Sequence, residues 1–189
     1  MTCPGCIGVV PMGAIPHVVP QVIAAHVTGY LNLEATVLKP MVNPLYALDD
    51  QRLQFDAGTI LETLESRPFE RVDKIIGVLN IDLFLPIFTH VFGEARQHGR
   101  VALVSLARLV EEPSEKPQLS PTTLERVVKV ALHELGHLFG LTHCENDPCL
   151  MHFSGNLEDL DLTPLNLCRY CARYFRDETG GPDHFSEAP

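Results

Sequence analysis

Over residues 7–106, short apolar runs alternate with longer stretches of helical spacing. The runs are bounded by proline, glycine or polar residues, as is typical of buried strands, and the longer stretches repeat apolar positions every three or four residues. Strands separated by helices favour an α/β layer with a mostly parallel sheet. The predicted strands are 7–10, 35–38, 74–79 and 101–106, and the predicted helices are 16–30 and 59–64.

The strongest helix signal begins at Ser120 and Pro121, because a hydroxyl caps the first turn and proline fits its first position. Apolar residues recur behind it at helical spacing and predict a stripe that faces the core. We expect this helix to end at Gly140. The stripe consists of Leu124, Val127, Val128, Ala131, Leu135 and Leu138.

The segments around this helix carry weaker patterns. Residues 111–120 are polar and contain proline, which indicates a loop, and residues 145–166 are expected to be largely irregular. Thr163 and Pro164 predict the start of a last helix, which would carry the two final cysteines. The tail from Asp177 is acidic and contains glycine and proline, so we expect it to be flexible.

Length and charge restrict the class of protein. A chain of 189 residues suits one domain, with or without a small appended lobe. The 24 acidic and 14 basic residues give a formal charge of -10, so we expect neither nucleic acid nor an anionic membrane as a partner. Prolines and histidines interrupt the apolar stretch 7–27, and no basic leader precedes it. We therefore expect a cytoplasmic protein without a membrane span or signal peptide.

Three histidines at characteristic spacing predict a catalytic metal site. His133 and His137 lie four residues apart on the predicted helix, so both imidazoles can reach one Zn²⁺ at ~2.0–2.1 Å. Gly140 can take a positive φ and turn the chain, which brings His143 back as a third ligand. Three protein ligands leave a position open for water or substrate, and Glu134 can accept a proton from that water. Histidine pairs on helices are more often packing or surface residues, but here the apolar stripe occupies a different face.

Six cysteines fall into close pairs, which in an intracellular chain suggests metal binding or redox chemistry before disulfides. Four of them form a set that tetrahedral zinc takes at ~2.3 Å with no open position, so this zinc would be structural. An alternative is that Cys144 binds the catalytic metal as a regulatory thiolate. However, adjacent side chains in an extended segment point to opposite sides, so Cys144 should face away from His143. The set is Cys144, Cys149, Cys168 and Cys171.

The remaining pair, Cys3 and Cys6, fits neither site. It could be a redox pair, an alternative metal pair or two inert thiols, and the inert interpretation is the safest.

The pattern H-E-x-x-H-x-x-G-x-x-H-C, followed by C-x-M and a downstream C-x-x-C, closely resembles the archaemetzincin family of the metzincin clan. The likeness is sharpest over 133–151 and 168–171, and it extends more loosely through 82–83, 91–95 and 105–109. It implies a metzincin-type single domain of the α/β (α+β) class. A twisted, mostly parallel sheet would pack on a backing helix and an active-site helix, with a small zinc-stapled C-terminal part.

The resemblance also implies domain bounds and residue roles. The catalytic domain would span 1–176, with the sheet and active-site helix in 1–140 and the cysteine subdomain in 141–176, and 177–189 would be the tail. His133, His137 and His143 would bind the catalytic zinc, Glu134 would be the base, and Met151 would lie beneath the metal. Residues 91–95 look like the edge strand beside the substrate cleft, although an ordinary covered strand is the alternative.

Together these patterns predict a zinc metallopeptidase with two zinc ions, one catalytic and one structural, acting on a peptide or protein substrate. The sequence leaves the oligomeric state open, and a monomer is favoured. One rival is a zinc-binding scaffold with little activity, and another is a zinc hydrolase of a non-peptide amide. A nucleic-acid-binding zinc module is a third rival, which the acidic charge disfavours. Candidates for a second oxyanion donor are His152, Tyr170 and Tyr174.

Overall fold

The computed structural model describes residues 6–110, 119–146 and 148–180. Two β-sheets and five α-helices are formed within these ranges. In chain order they are β1 (Ile7–Pro11), α1 (Val18–Leu31), β2 (Ala35–Val37), β3 (Leu48–Asp49), β4 (Gln54–Asp56), α2 (Ala57–Glu65), β5 (Lys74–Leu79), β6 (Leu83–Leu85), β7 (Phe88–Val91), β8 (Gly93–Ala95), β9 (Val101–Ser105), α3 (Pro121–Leu138), α4 (Leu157–Leu162) and α5 (Arg169–Thr179).

The larger sheet has five strands in the order β2-β1-β5-β9-β8. All its pairs are parallel except β8 with β9, so the predicted mostly parallel sheet is confirmed. Every residue of β1 and β9 is buried, because helices cover both faces. Helices α1 and α3 pack on one face and α2 on the other, which creates two apolar cores separated by the sheet.

A second sheet, in the order β3-β4-β6-β7, was not predicted. Its strands have only two to four residues, which is too short for an alternating pattern to be recognised. The predicted strand 91–95 is also corrected, because Val91 ends β7 and β8 begins at Gly93 after a bend. The remaining part, β8, is indeed the edge of the large sheet.

Helix α3 confirms its sequence signals closely. The Ser120 side chain accepts a hydrogen bond from the Thr123 N–H at 3.0 Å, and Pro121 occupies the first turn. The helix ends at Leu138, two residues before Gly140. The predicted stripe packs into the core shared with α1, with Leu124 partly buried and its other members buried.

The predicted last helix is present, but its predicted start at Thr163 was wrong and the preceding helix α4 was not predicted. Helix α4 lies before Thr163. The Asn156 side chain caps its N-terminus by accepting a hydrogen bond from the Asp159 N–H at 2.9 Å. The last helix starts only at Arg169, with Cys168 at its N-cap, and it continues to Thr179. Three residues assigned to the flexible tail are therefore helical. Residues 181–189 of that tail and residues 111–118 of the predicted loop 111–120 lie outside the described ranges.

Among the helices in the described ranges, none combines the length and the apolar character that crossing a membrane requires.

Candidate metal sites and active-site cleft

The structure brings His133, His137 and His143 together at the C-terminal half of α3 and the segment that follows it. A ligand nitrogen from each ring lies within 4.8 Å of the others. The Nε2 atoms of His133 and His137 are 3.1 Å apart, and the ring of His143 lies 5.3 and 5.0 Å from theirs, centre to centre. One ion can therefore contact all three side chains.

Backbone carbonyls fix the orientation of the two helical imidazoles. The Nδ1 atom of His133 donates to the Leu150 carbonyl at 2.9 Å, and that of His137 donates to the Leu141 carbonyl at 2.7 Å. Burial, together with the neighbouring imidazoles, lowers the pKa of His133 to about 3, and burial also lowers the pKa of His137 and His143. In a neutral imidazole with a protonated Nδ1, Nε2 carries a lone pair. Two lone pairs face each other across 3.1 Å, which is favourable only with a cation between them.

Glu134 lies next to His133 and is 8% exposed. Burial and the nearby charge of Glu94 raise the pKa of its carboxyl group well above the ordinary value. Gly93 of β8 makes room for it, because a Cβ at that position would lie 2.8 Å from Cγ of Glu134. The carboxyl group is thus held between the active-site helix and the edge strand.

Met151 is fully buried in the core that α3 shares with the C-terminal segment. A Cβ at Gly136 would lie 2.5 Å from its Sδ, so the thioether packs where α3 carries no side chain. Sequence reasoning placed Met151 near the metal only by resemblance and missed Gly136 altogether. No local signal could have found it, because Gly136 has ordinary helical geometry and its role depends on a contact across fifteen residues.

We expect Gly136→Ala to lower the free energy of unfolding by about 1–3 kcal/mol, since the new methyl group must displace Met151. Gly29 provides the matched control. It is a helical glycine in α1 with no atom within 4 Å of an added Cβ, so alanine there should stabilise the protein by up to ~1 kcal/mol. Denaturant unfolding of both variants checks this, and equal effects at the two sites would contradict the packing account.

The chain turns out of α3 at Gly140, whose φ of +86° confirms the predicted glycine turn. The loop between β8 and β9 closes this helix end, where the His98 N–H donates to the His137 carbonyl and the Gln97 side chain donates to the Gly140 carbonyl, both at 3.0 Å. An added Cβ at Gly140 would lie 2.3 Å from the His98 ring. These contacts fix the path of the chain that leads to His143. The contributions of Gln97 and His98 were not predicted from the sequence.

The four C-terminal cysteines form a second cluster with sulfur atoms within 4.8 Å of one another. Sγ of Cys144 and Cys168 are 3.8 Å apart, the separation that a tetrahedral ion with bonds of about 2.3 Å imposes. Although burial opposes ionisation, backbone N–H groups of Cys171 and Tyr170 lower the pKa of Cys168 to about 7. Burial raises the pKa of Cys149 and Cys171.

Cys144 and His143 belong to different clusters although they are adjacent, in agreement with the predicted alternation. The backbone between the clusters is fixed on both sides, because the Cys144 N–H donates to the Met151 carbonyl at 2.8 Å and His152 Nδ1 donates to the Cys144 carbonyl at 3.1 Å. Asn146, which sequence reasoning missed, donates to Sγ of Cys144 at 3.6 Å. Cys6 lies elsewhere and donates to the Glu34 carboxylate, while Cys3 is outside the described residues.

A cleft of about 610 Å³ opens over the histidine cluster. Residues 85–95, from the second sheet and β8, form one wall, and residues 153–155 with Leu160 and Thr163 form the other. Glu134 and the three histidines line the cleft between these walls. The predicted oxyanion candidates His152, Tyr170 and Tyr174 are not among the residues that line it.

Both clusters suit zinc by their donor chemistry. Three neutral imidazoles leave one coordination position of a zinc ion open, as in catalytic sites. Four thiolates fill all four positions, which is typical of structural zinc. The matching spacing of the sulfurs and the facing nitrogen lone pairs make these residues a fit for the two ions.

Comparison with known proteins agrees with this site. The model of peptidase family M54 matches residues 33–177. Archaemetzincin from Methanopyrus kandleri is 40% identical over 146 residues, which cover 77% of this chain and 79% of that protein. The crystal structure of this archaemetzincin has a TM-score of 0.80 and 36% identity, covering 93% of this chain and 96% of that one. A zinc-dependent peptidase from Methanocorpusculum labreanum has the same TM-score at 28% identity, covering 89% and 99%.

The fold and the site are therefore those of a zinc-dependent metallopeptidase that acts on a peptide or protein substrate. The chain belongs to the archaemetzincins, peptidase family M54.

Proposed function

We propose that this peptidase hydrolyses its substrate with a zinc ion held by His133, His137 and His143, and with Glu134 as the general base. The observation that carries the proposal is the pair of Nε2 lone pairs that face each other at 3.1 Å. Protonation cannot relieve this arrangement easily, because burial disfavours the charged form of both imidazoles. A divalent cation relieves it.

When bound, the zinc would polarise the scissile carbonyl and lower the pKa of water at its open position. The chain supplies the proton transfers. Glu134 Oε accepts the proton of the attacking water and then donates it to the nitrogen of the leaving amine. Burial raises the pKa of this carboxyl group, which stabilises the protonated form that then carries the proton to the leaving amine.

A second zinc at Cys144, Cys149, Cys168 and Cys171 would have a structural role. The cluster joins the segment after His143 to the N-terminus of α5. Four thiolates leave no position for water or substrate, so this ion would stabilise the C-terminal part without taking part in hydrolysis.

The substrate would bind as an extended strand along β8. This strand pairs only with β9 within the described residues, which leaves its other edge facing the cleft. Backbone hydrogen bonds to such an edge give affinity for a peptide of any sequence, and the cleft walls select its side chains. Gly93 and Glu134 are in close contact, so a strand bound there passes beside the proposed base.

A peptide library tests the proposal. We expect the zinc-loaded protein to cleave a subset of peptides, to lose this activity after chelation, and to recover it when zinc is restored, because the ion is required for chemistry. Products identified by mass spectrometry give the cleaved bonds. A zinc-loaded, folded protein that cleaves no peptide or protein would favour the scaffold alternative, and cleavage only of non-peptide amides would favour the other hydrolase.

A further inference from the structure

Helix α4, which has only six residues, contributes Leu160 to the lining of the cleft. Leu160 of α4 and Thr163 at its end line the cleft where α3 presents Lys129 and Val130. Isolated helices of this length are not stable in water, so α4 depends on its contacts with the rest of the protein. The position of this wall decides how much space a substrate side chain finds beside His133.

Lys129 provides the central contact. It lies one turn before His133 on α3, and its side chain is 4% exposed. Its ammonium donates to the carbonyl oxygens of Leu160 at 3.2 Å and Asp161 at 3.0 Å, at the negative end of α4. A third partner is the carboxylate of Glu125 at 2.8 Å. Since an ammonium has three donors, none is left for a substrate.

Arg126 reinforces this attachment away from the cleft. Its guanidinium donates two hydrogen bonds to the carboxylate of Asp161, at 2.7 and 2.6 Å, and one to the Leu109 carbonyl at 3.3 Å. Two neighbouring cations of α3 therefore hold the end of α4, but only Lys129 also lines the cleft.

Apolar side chains accompany Lys129 in the lining of the cleft. They include Val130, Leu150 and Leu160, and the hydroxyl of Thr163 is already used in hydrogen bonds to the Asp159 carbonyl and the Ser154 hydroxyl. An acidic substrate side chain would find no free cation among the described residues that line the cleft here, and a polar one would lose its hydrogen bonds to water.

We propose that Lys129 is a positioning residue that fixes α4 and thereby limits the substrate to a small or medium-sized apolar side chain on one side of the cleaved bond. The inference rests on the peptidase function proposed above. Without the ammonium, the carbonyls of Leu160 and Asp161 lose their buried donor, so α4 shifts towards water and the space beside His133 widens.

The first test measures kcat and KM for two series of peptides. One series varies the residue on the N-terminal side of the cleaved bond, and the other varies the residue on its C-terminal side. In each series the varied residue is Ala, Leu, Phe or Glu. In one of the series, we expect the wild type to prefer Ala and Leu over Phe, and Lys129→Met to reduce this preference by about tenfold. Lys129→Arg restores cationic donors and should recover much of it. Glu125→Gln is the matched control and should keep the wild-type preference, because it leaves the bonds from Lys129 to α4 intact.

The second test needs no activity. Hydrogen exchange of the zinc-loaded protein should be faster in residues 157–163 of Lys129→Met than in the wild type, with little change in α1. If Lys129→Met does not fold, Leu160→Ala must relax the same side-chain preference, since it removes part of the wall itself.

Unchanged preference and unchanged exchange at α4 in a folded Lys129→Met would overturn the inference. So would a Leu160→Ala variant that keeps the wild-type preference. Failure of the peptidase function is recognised separately, because the wild type would then cleave neither series. In that case, exchange at α4 that is slower or equal in Lys129→Met would still refute the attachment by Lys129.

Discussion

Glu134→Gln is expected to lower kcat/KM by about 10²–10⁴-fold while the protein keeps its fold and its metal content. The amide has almost the size of the carboxylate but cannot accept a proton from water. The residue is buried and touches Gly93 of the edge strand, so a conservative change is needed to separate chemistry from packing. Steady-state kinetics on a cleaved peptide, with zinc measured on the same samples, checks the expectation.

Glu125→Gln is the matched control for this variant. It makes the same chemical change on the same helix, but its carboxylate is 54% exposed, pairs with Lys129 and is not among the residues that line the cleft. The Gln amide oxygen can still accept a hydrogen bond from Lys129, so its kcat/KM should stay near the wild-type value. Equal loss in the two variants, or an active Glu134→Gln protein, would rule out Glu134 as the base.

Cys168→Ser should have the largest effect on stability. We expect it to lose one zinc and to lower the free energy of unfolding by roughly 4 kcal/mol or more, because a structural metal contributes directly to folding. Cys6→Ser is the control, since it changes a buried cysteine that lies outside the cluster. It should keep both zinc ions.

Cys168→Ser should also weaken zinc binding at the histidines, by about 10–100-fold. Cys144 is joined directly to His143, and its backbone is held by Met151 and His152 between the two clusters. Loss of the cysteine zinc therefore loosens the third histidine. Competition with a chelator of known affinity measures this effect, and equal histidine-site affinity in a folded variant would show that the two sites are independent.

The parts of the fold that could be predicted are those with strong local signals. Buried runs such as 74–79 and 101–106 are long enough to be recognised as strands, and α3 combines an N-cap, a proline and a long apolar stripe. The second sheet has no comparable signal, because its strands are short and partly exposed. Its contribution to the cleft wall could not be foreseen.

The predicted parts of the site likewise depend on local sequence signals, whereas the missed parts depend on contacts between distant segments. The histidine spacing follows from helix geometry and one glycine turn, so the three side chains could be expected to converge. The contacts of Gly136 with Met151, and of Lys129 with the end of α4, join segments that are distant in sequence. Nothing in the local pattern distinguishes such residues from ordinary positions on a helix surface.

Zinc per chain, measured by elemental analysis for the wild type and His137→Ala, shows whether the histidines and the cysteines each hold an ion. We expect two zinc ions in the wild type and one in the variant, with the remaining ion bound by the cysteines. A wild type with a single ion, or a folded His137→Ala protein that still holds two, would contradict this expectation.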